Sequence, residues 1–397
     1  MFEILFSIFL ILSLWEFAGY PIVMGSLAKK YSNIDNSAEP HYPFVSIVIS
    51  VFNEEEVIKK RLKNLVNLNY PQDKYEIIII DDKSEDNTVN LINEFVTNHK
   101  AKDPPIKFIK KNHRLGKSNS LNIAIEDIKG ELVLSSDVNS MFDQNILLEL
   151  TSKFKDEKVG AVCGSYNIIN NDKASPNSEN FYWNLEDMML KGESAIDSIG
   201  TMIGSTSTCR KKFFHFDENI ISEDLDLMVR IREEGYYVKY EPNAKVYEHA
   251  ATNPRDQIKQ RSRTSLGTIQ CIFKHPRQFL LVNDYHSLFL FSHKTLRMFS
   301  PFNLLLVLIT FVLLPLTTMI IAIVSLSVAL FILLMSLIRL LPNSNSSKNG
   351  LSKFNLIKYV LLNEFLILVA WKKFILGETS TKWDKAESTR AHKKKGS

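Results

Sequence analysis

Acidic and amide side chains follow two of the apolar runs in this 397-residue chain. Asp82 comes two residues after EIIII at 76–80, and Asp137 and Asn139 come shortly after ELVLS at 131–135. Alternating oxygen ligands at the end of a strand can hold one hard cation such as Mg²⁺ or Mn²⁺. Such a cation neutralises a diphosphate leaving group. A polar turn or a helix cap made from Asp and Asn is the competing interpretation.

A second acidic pair, Glu223-Asp224, stands at the predicted start of a helix, with Ser222 in the cap position. One of these carboxylates could be a general base that takes the proton of an acceptor hydroxyl as that hydroxyl attacks. Alternatively, the pair stabilises the helix N-terminus, where acids are favourable. The sequence therefore predicts a candidate base here and leaves the capping role open.

Basic residues stand where they could meet a phosphate. Lys117 follows Gly116 at the start of a predicted helix, where glycine frees the backbone. Gln260, Arg261 and Arg263 lie in a basic stretch that could clamp a departing nucleotide diphosphate or face anionic lipid. The spacings of a P-loop and of a dinucleotide-binding G-x-G-x-x-G turn are absent from the sequence, which argues against those two classes.

Short β-rich runs alternate with amphipathic helical stretches between Pro43 and about Lys245. This alternation predicts an α/β domain built around a mostly parallel sheet. Ligands bind such a sheet in the crevice outside the carboxyl ends of its strands, so we expect the acids to share one edge. The predicted strands are 45–51, 76–80, 106–109 and 131–135, and the predicted helices are 54–68, 88–98 and 117–128.

Three apolar segments predict contact with a membrane. The first opens the sequence, can cross a ~30 Å hydrocarbon layer and lacks the basic n-region of a cleaved signal peptide. The region 300–338 has no charged residue and is about twice as long as one ~20-residue span, which predicts a helical hairpin. The segment 354–376 carries charges, so spanning and interfacial placements both stay open. Flanking basic residues predict that the middle domain is cytoplasmic, at the plasma membrane.

The predicted organisation has seven parts. They are an N-terminal transmembrane anchor over 1–28, a cytoplasmic α/β domain over 43–250, a basic and amphipathic interface segment over 251–298, a transmembrane hairpin over 299–341, a polar loop over 342–353, a transmembrane or interfacial helix over 354–376, and a basic cytoplasmic tail over 377–397.

The composition indicates which partners the protein can bind and whether its cellular compartment is reducing. A net charge of +4, from 48 basic and 44 acidic residues, is nearly balanced and predicts no nucleic-acid partner. The three cysteines show no C-x-x-C spacing, which fits a reducing compartment without disulfides.

Taken in order, the motifs resemble glycosyltransferase family 2, which includes membrane synthases of chitin-like, hyaluronan-like and poly-N-acetylglucosamine polymers. The resemblance begins at VSIVI over 45–49 and ends at Gly235-Tyr236. Between these points it rests on FNEE at 52–55, DDKSEDNT at 81–88, RLGK at 114–117, DVN at 137–139 and SEDLDL at 222–227.

The resemblance implies a GT-A fold and the metal-dependent, inverting transfer of a sugar from a nucleotide donor, with a UDP-sugar favoured. The acceptor would be a glycan or a lipid-linked molecule at the membrane lipids. Asp224, beside Glu223, would be the catalytic base, and Asp82 would contact the nucleoside. The other donor-binding residues implied are Asn53, Glu54, Lys117, Asp137, Arg261 and Arg263, with Gln260 in the acceptor or diphosphate region, and Asp137 and Asn139 as ligands of Mg²⁺ or Mn²⁺.

Two departures from the family pattern affect the predicted activity. Asn139 stands where the family usually has a second aspartate, and a neutral carbonyl ligates a divalent ion less strongly than a carboxylate. Thr264 stands where processive members carry tryptophan. A polymer synthase and a transferase that adds one sugar therefore both stay open. A third alternative is a catalytically silent scaffold or nucleotide-sugar sensor.

Overall fold

The centre of the sheet is made from strands whose residues are almost all apolar. β1 (Val45–Val51, VSIVISV) and β2 (Tyr75–Asp81, YEIIIID) are buried along nearly their whole length, as expected for strands covered on both faces. The computed structural model describes residues 1–31, 41–100, 103–169, 177–249, 254–323 and 353–378. Within these residues the other strands are β3 (Ile106–Lys110), β4 (Leu132–Ser136), β5 (Met141–Phe142), β6 (Val159–Ile169), β7 (Ser207–Arg210) and β8 (Tyr237–His249).

The strands pair in the order β3-β2-β1-β4-β7-β6-β8-β5. β3, β2, β1 and β4 are parallel neighbours, so their carboxyl ends lie at one edge. β7 is antiparallel to β4 and β6, whereas β8 is parallel to β6 and antiparallel to β5. The predicted α/β class is confirmed, and the parallel arrangement holds for the half of the sheet that leads into Asp82 and Asp137.

The sheet belongs to a compact unit formed by Asn36–Ser175, Met202–Cys271 and Leu376–Ser397. Its helices bury apolar side chains, such as Leu62, Ile92, Leu121, Leu150 and Leu227, as expected for a layered domain. They are Ile58–Val66, Thr88–Thr97, Lys117–Ile123, Ile146–Ser152, Glu223–Glu233 and most of Pro254–Lys274.

Two helix boundaries differ from the sequence prediction. The helix predicted over 54–68 begins at Ile58, because the chain leaves β1 through a turn in which Asn53 adopts a left-handed φ of 52°. The helix predicted over 117–128 ends at Ile123 and continues as one 3₁₀ turn over Ala124–Asp127. The first difference lies in the loop that follows β1, and the second lies at the C-terminal end of a helix. In both places a local turn replaces the regular helix that the sequence periodicity predicts.

A second compact unit consists of Met1–Asp35, Pro176–Thr201 and Ile272–Ile375. The central stretch lies within the predicted 43–250 domain but groups with the terminal segments. The unit is helical in its described residues, with short π-helical turns at Trp15–Gly19 and Phe291–Thr295. In those residues its α-helices are Phe2–Leu14, Tyr20–Tyr31, Asn177–Ile196, Pro276–Leu280, Tyr285–Leu290, Leu296–Val312 and Lys353–Ile375, and 316–323 is also helical.

A buried polar network joins three segments of this helical unit. Glu193 accepts hydrogen bonds from the Tyr20 hydroxyl at 2.5 Å and from the backbone N–H of Gly200 at 2.6 Å. His293 places Nδ1 2.8 Å from Glu193 and Nε2 2.9 Å from Glu186. A buried carboxylate needs such partners, so these contacts fix the mutual positions of the three segments.

Two helical stretches, Phe2–Lys30 and Tyr285–Val312, are long and apolar enough to cross a membrane by length and composition. They coincide with the predicted anchor and with the approach to the predicted hairpin. Beyond residue 323, the hairpin prediction lies outside the described residues. The same is true of almost all of the predicted polar loop over 342–353 and of the tail over 377–397.

Candidate active site

Asp82 follows β2 and is almost fully buried. Its Oδ1 accepts hydrogen bonds from the Lys111 ammonium at 2.6 Å and from the backbone N–H of Leu115 at 2.9 Å, and its Oδ2 accepts one from Gly116 N–H at 2.9 Å. Gly116 has a φ of 98°, which a residue with a Cβ rarely adopts. The carboxylate therefore holds the loop that ends at Lys117 in a defined conformation.

The loops after β1 and β2 are locked together. Asn53 donates from its backbone to Ser84 Oγ at 2.9 Å and accepts at its side-chain Oδ1 from the backbone N–H of Glu85 at 2.8 Å. Both Asn53 and Lys83 have left-handed backbones, with φ values of 52° and 66°. Such a conformation costs roughly 1–2 kcal/mol for most L-residues and less for Asn, so the contacts between the two loops stabilise a backbone that is strained at Lys83.

Two further contacts complete this edge. The backbone N–H of Glu54 donates to Thr88 Oγ1 at 2.8 Å, and the Glu54 side chain is buried. The guanidinium of Arg114 lies 3.9 Å above the Phe52 ring, a cation–π geometry. The motifs predicted at 52–55, 81–88 and 114–117 are therefore in mutual contact.

Lys117 lies between two carboxylates that are far apart in the sequence. Its Nζ is 2.8 Å from Asp137 Oδ1 and 2.9 Å from Glu223 Oε1. Burial alone would lower the pKa of this ammonium, but the charges of Asp137 and Glu223 outweigh burial and raise the pKa above its ordinary value. Lys117 therefore carries a positive charge at neutral pH, and it brings the end of β4 together with the start of the helix Glu223–Glu233.

Asp224 follows Glu223 in the sequence, and its carboxyl is less acidic than that of an ordinary aspartate. Burial and, after it, the charge of Glu223 raise the pKa of its carboxyl, the Lys117 ammonium acts in the opposite direction, and the resulting pKa is about 6. One oxygen, Oδ1, accepts a hydrogen bond from Leu225 N–H at 2.8 Å. Gly204 lies against the other, because a Cβ built there would come within 2.9 Å of Oδ2.

Asn139 is oriented by a buried acid at the end of β8. Its Nδ2 donates to Glu248 Oε2 at 3.1 Å, and the hydroxyl of Ser140 donates to Oε1 at 2.5 Å. The sequence prediction did not include Glu248. Glu248 lies two residues after Val246 and four after Ala244, so it falls on the buried face of β8. A charged residue at such a position is unusual and could have been recognised from the sequence as a candidate functional residue. His249, its neighbour, ends the strand.

Arg61 is a second residue that sequence reasoning missed. It is fully buried and donates from Nη2 to Ser136 Oγ at 2.8 Å, one residue before Asp137. Burial lowers the pKa of the guanidinium to about 9, and the charges of Glu248 and Asp137 oppose this fall. The signal was present, because Arg61 occupies the buried stripe of its helix beside Leu62.

The structure places Gln260, Arg261 and Arg263 on the helix Pro254–Lys274. Arg261 and Arg263 are partly buried and Gln260 is exposed. This helix approaches Ser222 closely, since a Cβ built on Gly267 would lie 2.2 Å from Ser222 Oγ. The three residues therefore lie on an element anchored one residue before Glu223, and their contact with a ligand remains a prediction.

The chemistry of these side chains fits a divalent ion held jointly with phosphate. Within the residues that the structure describes, no group of three or more His, Cys, Asp or Glu side chains forms a metal site. Mg²⁺ is commonly bound through one or two carboxylates together with substrate phosphates. Asp137 already holds a cation, the Lys117 ammonium, so its position suits positive charge.

The arrangement defines a class of protein. The fold is similar to that of the mannosyltransferase PcManGT from Pyrobaculum calidifontis, solved in complex with GDP-Man and Mn²⁺, with a TM-score of 0.67 at 18% identity over 94% of this chain and 99% of that chain. At this identity the likeness concerns the fold. An open α/β sheet with acids at its carboxyl edge and this structural neighbour define a GT-A glycosyltransferase fold.

Two models of glycosyltransferase families match the sequence of the chain. The family described as Glycosyl transferase family 2 matches residues 46–215, and the one described as Glycosyl transferase family group 2 matches residues 132–341. The second match covers more than half of the chain. The chain belongs to glycosyltransferase family 2.

Three curated relatives are each 29% identical to the chain. They are a probable glycosyltransferase YdaM from Bacillus subtilis, over 60% of this chain and 58% of that protein, a beta-monoglucosyldiacylglycerol synthase from Nostoc sp., over 57% and 49%, and a poly-beta-1,6-N-acetyl-D-glucosamine synthase from Staphylococcus epidermidis, over 50% and 48%. The chain thus spans about half the length of the curated relatives that it matches.

Proposed function

We propose that the chain is an inverting glycosyltransferase that moves a sugar from a UDP-sugar to a glycan or lipid-linked acceptor at the cytoplasmic face of a membrane. One observation carries this proposal. Asp224, with its raised pKa, lies beside the Lys117 bridge between Asp137 and Glu223. A base and a diphosphate site next to each other are what the proposed transfer requires, so this arrangement supports the proposal.

Asp224 is suited to the role of general base. With a pKa of about 6, its carboxyl is mostly ionised at neutral pH and yet is more basic than an ordinary aspartate. A general base is most effective when its pKa lies near the working pH. Glu223 supports this role through its charge, which raises the pKa of Asp224.

The proposed reaction is one displacement at the anomeric carbon. Asp224 accepts the proton of the acceptor hydroxyl while the hydroxyl oxygen forms a bond to that carbon. The bond between the carbon and the diphosphate oxygen breaks, and the diphosphate leaves with the electron pair. Because attack and departure take place on opposite faces, the configuration is inverted.

The departing diphosphate needs positive charge. Lys117, Arg261 and Arg263 are the side chains that would supply it, and Arg is well suited to phosphate because its planar fork donates two parallel hydrogen bonds. Asp137 and Asn139 would hold Mg²⁺ or Mn²⁺ together with the phosphates, and when bound the ion would neutralise charge on the leaving group.

The nucleoside would lie over the interlocked loops after β1 and β2. Asn53, Glu54 and Asp82 belong to these loops, and the Asp82 carboxylate makes three hydrogen bonds within the protein. A carboxylate has about four acceptor positions, so one further contact to a nucleoside donor is compatible with the loop that Asp82 holds.

Two names among the relatives support the acceptor class. The Nostoc protein is named for a glucosyldiacylglycerol, which is a lipid, and the Staphylococcus epidermidis protein for a polymer of N-acetylglucosamine. A lipid-linked or glycan acceptor is therefore the proposal for this chain, and product length in vitro separates single addition from polymer extension.

The test is release of nucleotide diphosphate by the purified full chain in detergent. UDP-sugars and GDP-mannose are supplied singly with candidate lipid acceptors, with Mg²⁺ or Mn²⁺ or with chelator. We expect metal-dependent release from one UDP-sugar and its loss in Asp224→Asn. The matched control is Glu234→Gln, an exposed acid at the other end of the same helix.

Three outcomes contradict parts of the proposal. Full turnover by Asp224→Asn refutes the assignment of the base, and retention of configuration in the product refutes inversion. No release from any donor by the folded wild type shifts the assignment to a silent nucleotide-sugar sensor.

The membrane face is tested by cysteine labelling. The native cysteines, Cys163, Cys209 and Cys271, are all buried, so an exposed cysteine introduced as Glu234→Cys gives a signal over a low background. We expect a membrane-impermeant maleimide to label this variant in permeabilised cells and not in intact cells. Equal labelling of intact cells places the sheet unit outside and refutes the proposed face.

A further inference from the structure

We propose that Lys117 is a built-in competitor for the metal, so that a divalent ion reaches Asp137 only when the Lys117 ammonium is displaced. This inference rests on the proposed function, because it concerns the same site. It adds a role for Lys117 before any sugar is transferred: the residue keeps the affinity for metal low until a diphosphate is also present.

The contacts of Lys117 carry this inference. Its ammonium lies 2.8 Å from Asp137 Oδ1 and 2.9 Å from Glu223 Oε1, and both are hydrogen-bonding distances for a charged pair. The side chains of Lys117, Glu223 and Asp137 are 14%, 11% and 31% exposed. In this partly enclosed setting, solvent screens the charges less than at an open surface.

A metal ion and this ammonium cannot both occupy the same place beside Asp137. Mg²⁺ lies about 2.0–2.1 Å from its oxygen ligands, so an ion on Asp137 would stand within a few ångströms of a second positive charge. Two positive charges a few ångströms apart repel each other, and solvent screens that repulsion only partly in this setting. Metal binding therefore requires Lys117 to move.

The side chain of Lys117 can move because the ammonium stands on a flexible four-carbon stem. A nucleotide diphosphate offers the ammonium a new set of acceptors and offers the metal additional ligands. Diphosphate and metal should then bind together more tightly than either binds alone. By linkage, the nucleotide raises metal affinity by the same factor as the metal raises nucleotide affinity.

A purely structural bridge makes the opposite prediction. If Lys117 served only to hold Asp137 and Glu223 together, its removal would let their like charges separate and would weaken any cation site there. If Lys117 competes with the metal, its removal takes the competing ammonium away from Asp137 and Glu223 and strengthens cation binding. The sign of the change in metal affinity separates these two roles.

The experiment measures Mn²⁺ binding to the purified full chain by the electron paramagnetic resonance signal of free Mn²⁺. Titrations are run without nucleotide and with saturating UDP. The variants are Lys117→Gln, Lys117→Arg, Asp137→Asn and, as the matched control, Lys59→Gln, which removes an exposed lysine paired with Glu94. Thermal unfolding of each variant checks that it is folded.

Without nucleotide, we expect Lys117→Gln to bind Mn²⁺ about 5- to 50-fold more tightly than wild type, within the usual range of coupling between sites. Lys117→Arg, which keeps the charge, should bind as weakly as wild type, and Asp137→Asn should lose the gain when combined with Lys117→Gln. UDP should raise Mn²⁺ affinity more in wild type than in Lys117→Gln.

Equal, weaker or undetectable Mn²⁺ binding by folded Lys117→Gln overturns the inference. Because no sugar transfer is measured, the result is independent of the proposed reaction. A chain that binds Mn²⁺ as expected and transfers no sugar refutes the proposed function alone, whereas a chain that transfers sugar without the Lys117 effect refutes this inference alone.

Discussion

The side-chain amide of Asn139 donates a hydrogen bond to Glu248 Oε2 over 3.1 Å. An ionised carboxylate only accepts hydrogen bonds, so the group that faces it must be a donor. The amide supplies that donor, whereas an aspartate at position 139 would place a second negative charge against a buried one. The neutral residue in the D-x-N motif is thus matched to Glu248.

We therefore predict that Asn139→Asp weakens metal binding, although it restores the second aspartate of the family pattern. Repulsion from Glu248 should turn the new carboxylate away, and we expect about a tenfold loss, equivalent to ~1.4 kcal/mol. The double variant Asn139→Asp with Glu248→Gln should recover the loss, because glutamine can donate to the aspartate. The measurement is Mn²⁺ affinity in the presence of UDP, and tighter binding by Asn139→Asp alone contradicts this account.

A second prediction concerns the pH dependence of transfer. The pKa of Asp224 is raised to about 6 by burial and then by Glu223, and a base works only when deprotonated. The value of kcat/KM should therefore be constant above about pH 7 and fall about tenfold per unit well below pH 6, since this ratio reports the free enzyme.

Glu223→Gln is the matched variant for this pH profile. It removes the neighbouring negative charge that raises the pKa of Asp224, so the acid limb should move to lower pH. A limb that stays in place, or that moves to higher pH, shows that the titrating group is not Asp224 in contact with Glu223.

A third prediction uses the close approach of Gly204 to Asp224. A methyl group at position 204 would lie 2.9 Å from Asp224 Oδ2, and the carboxyl can avoid it by rotating. Gly204→Ala should therefore lower kcat by about 10- to 100-fold, as small misplacements of catalytic groups do. The free energy of unfolding should change by less than about 1 kcal/mol, because the displaced atom ends a side chain.

Steady-state kinetics and chemical denaturation test this variant together. Unchanged kcat in Gly204→Ala means that the position of Oδ2 does not matter for the reaction. A large loss of stability means that the methyl group displaces backbone and not the carboxyl.

A fourth prediction concerns the buried ion pair of Lys111 with Asp82. Both side chains are 5% exposed and their charged atoms are 2.6 Å apart. Lys111→Met leaves Asp82 charged and buried without its ammonium, and breaking such a pair costs about 3–5 kcal/mol. Lys59→Met breaks the exposed pair with Glu94 and should cost no more than about 1 kcal/mol.

The two free energies of unfolding are measured by urea denaturation under identical conditions. The expected result is a difference of at least about 2 kcal/mol between the variants, given the ranges for buried and exposed pairs. Equal costs contradict the role assigned to Asp82 in holding the loop before Lys117.

Much of the parallel half of the fold could be predicted, because β1, β2 and β4 are short runs rich in apolar residues. The four consecutive isoleucines of β2 are stable only in a strand that is covered on both faces. The carboxyl ends of parallel strands lie at one edge of the sheet, so Asp82 and Asp137 are expected at the same edge. The antiparallel partners β7 and β5 are only four and two residues long. Runs this short carry too little periodicity to be recognised as strands.

The candidate site could be predicted as a set of residues but not as a set of contacts. Nothing in the sequence pairs Lys117 with Glu223, since the two are brought together by the path of the chain through the sheet. Glu248 and Arg61 could have been found, because each interrupts the apolar phase of its element. The pKa of Asp224 depends on its enclosure and on Glu223, so it follows only from the folded arrangement.

The polar network of the helical unit sets an order of events during synthesis. Tyr20 is made 173 residues before its acceptor Glu193, and Glu193 is made 100 residues before His293. At about 5–20 residues per second, those last 100 residues take roughly 5–20 s. During that interval Glu193 has no imidazole partner, so the helical unit can close only after the ribosome has passed residue 293. In a nascent chain halted before that point, the hydrogen bond of Tyr20 to Glu193 would lack the support of His293.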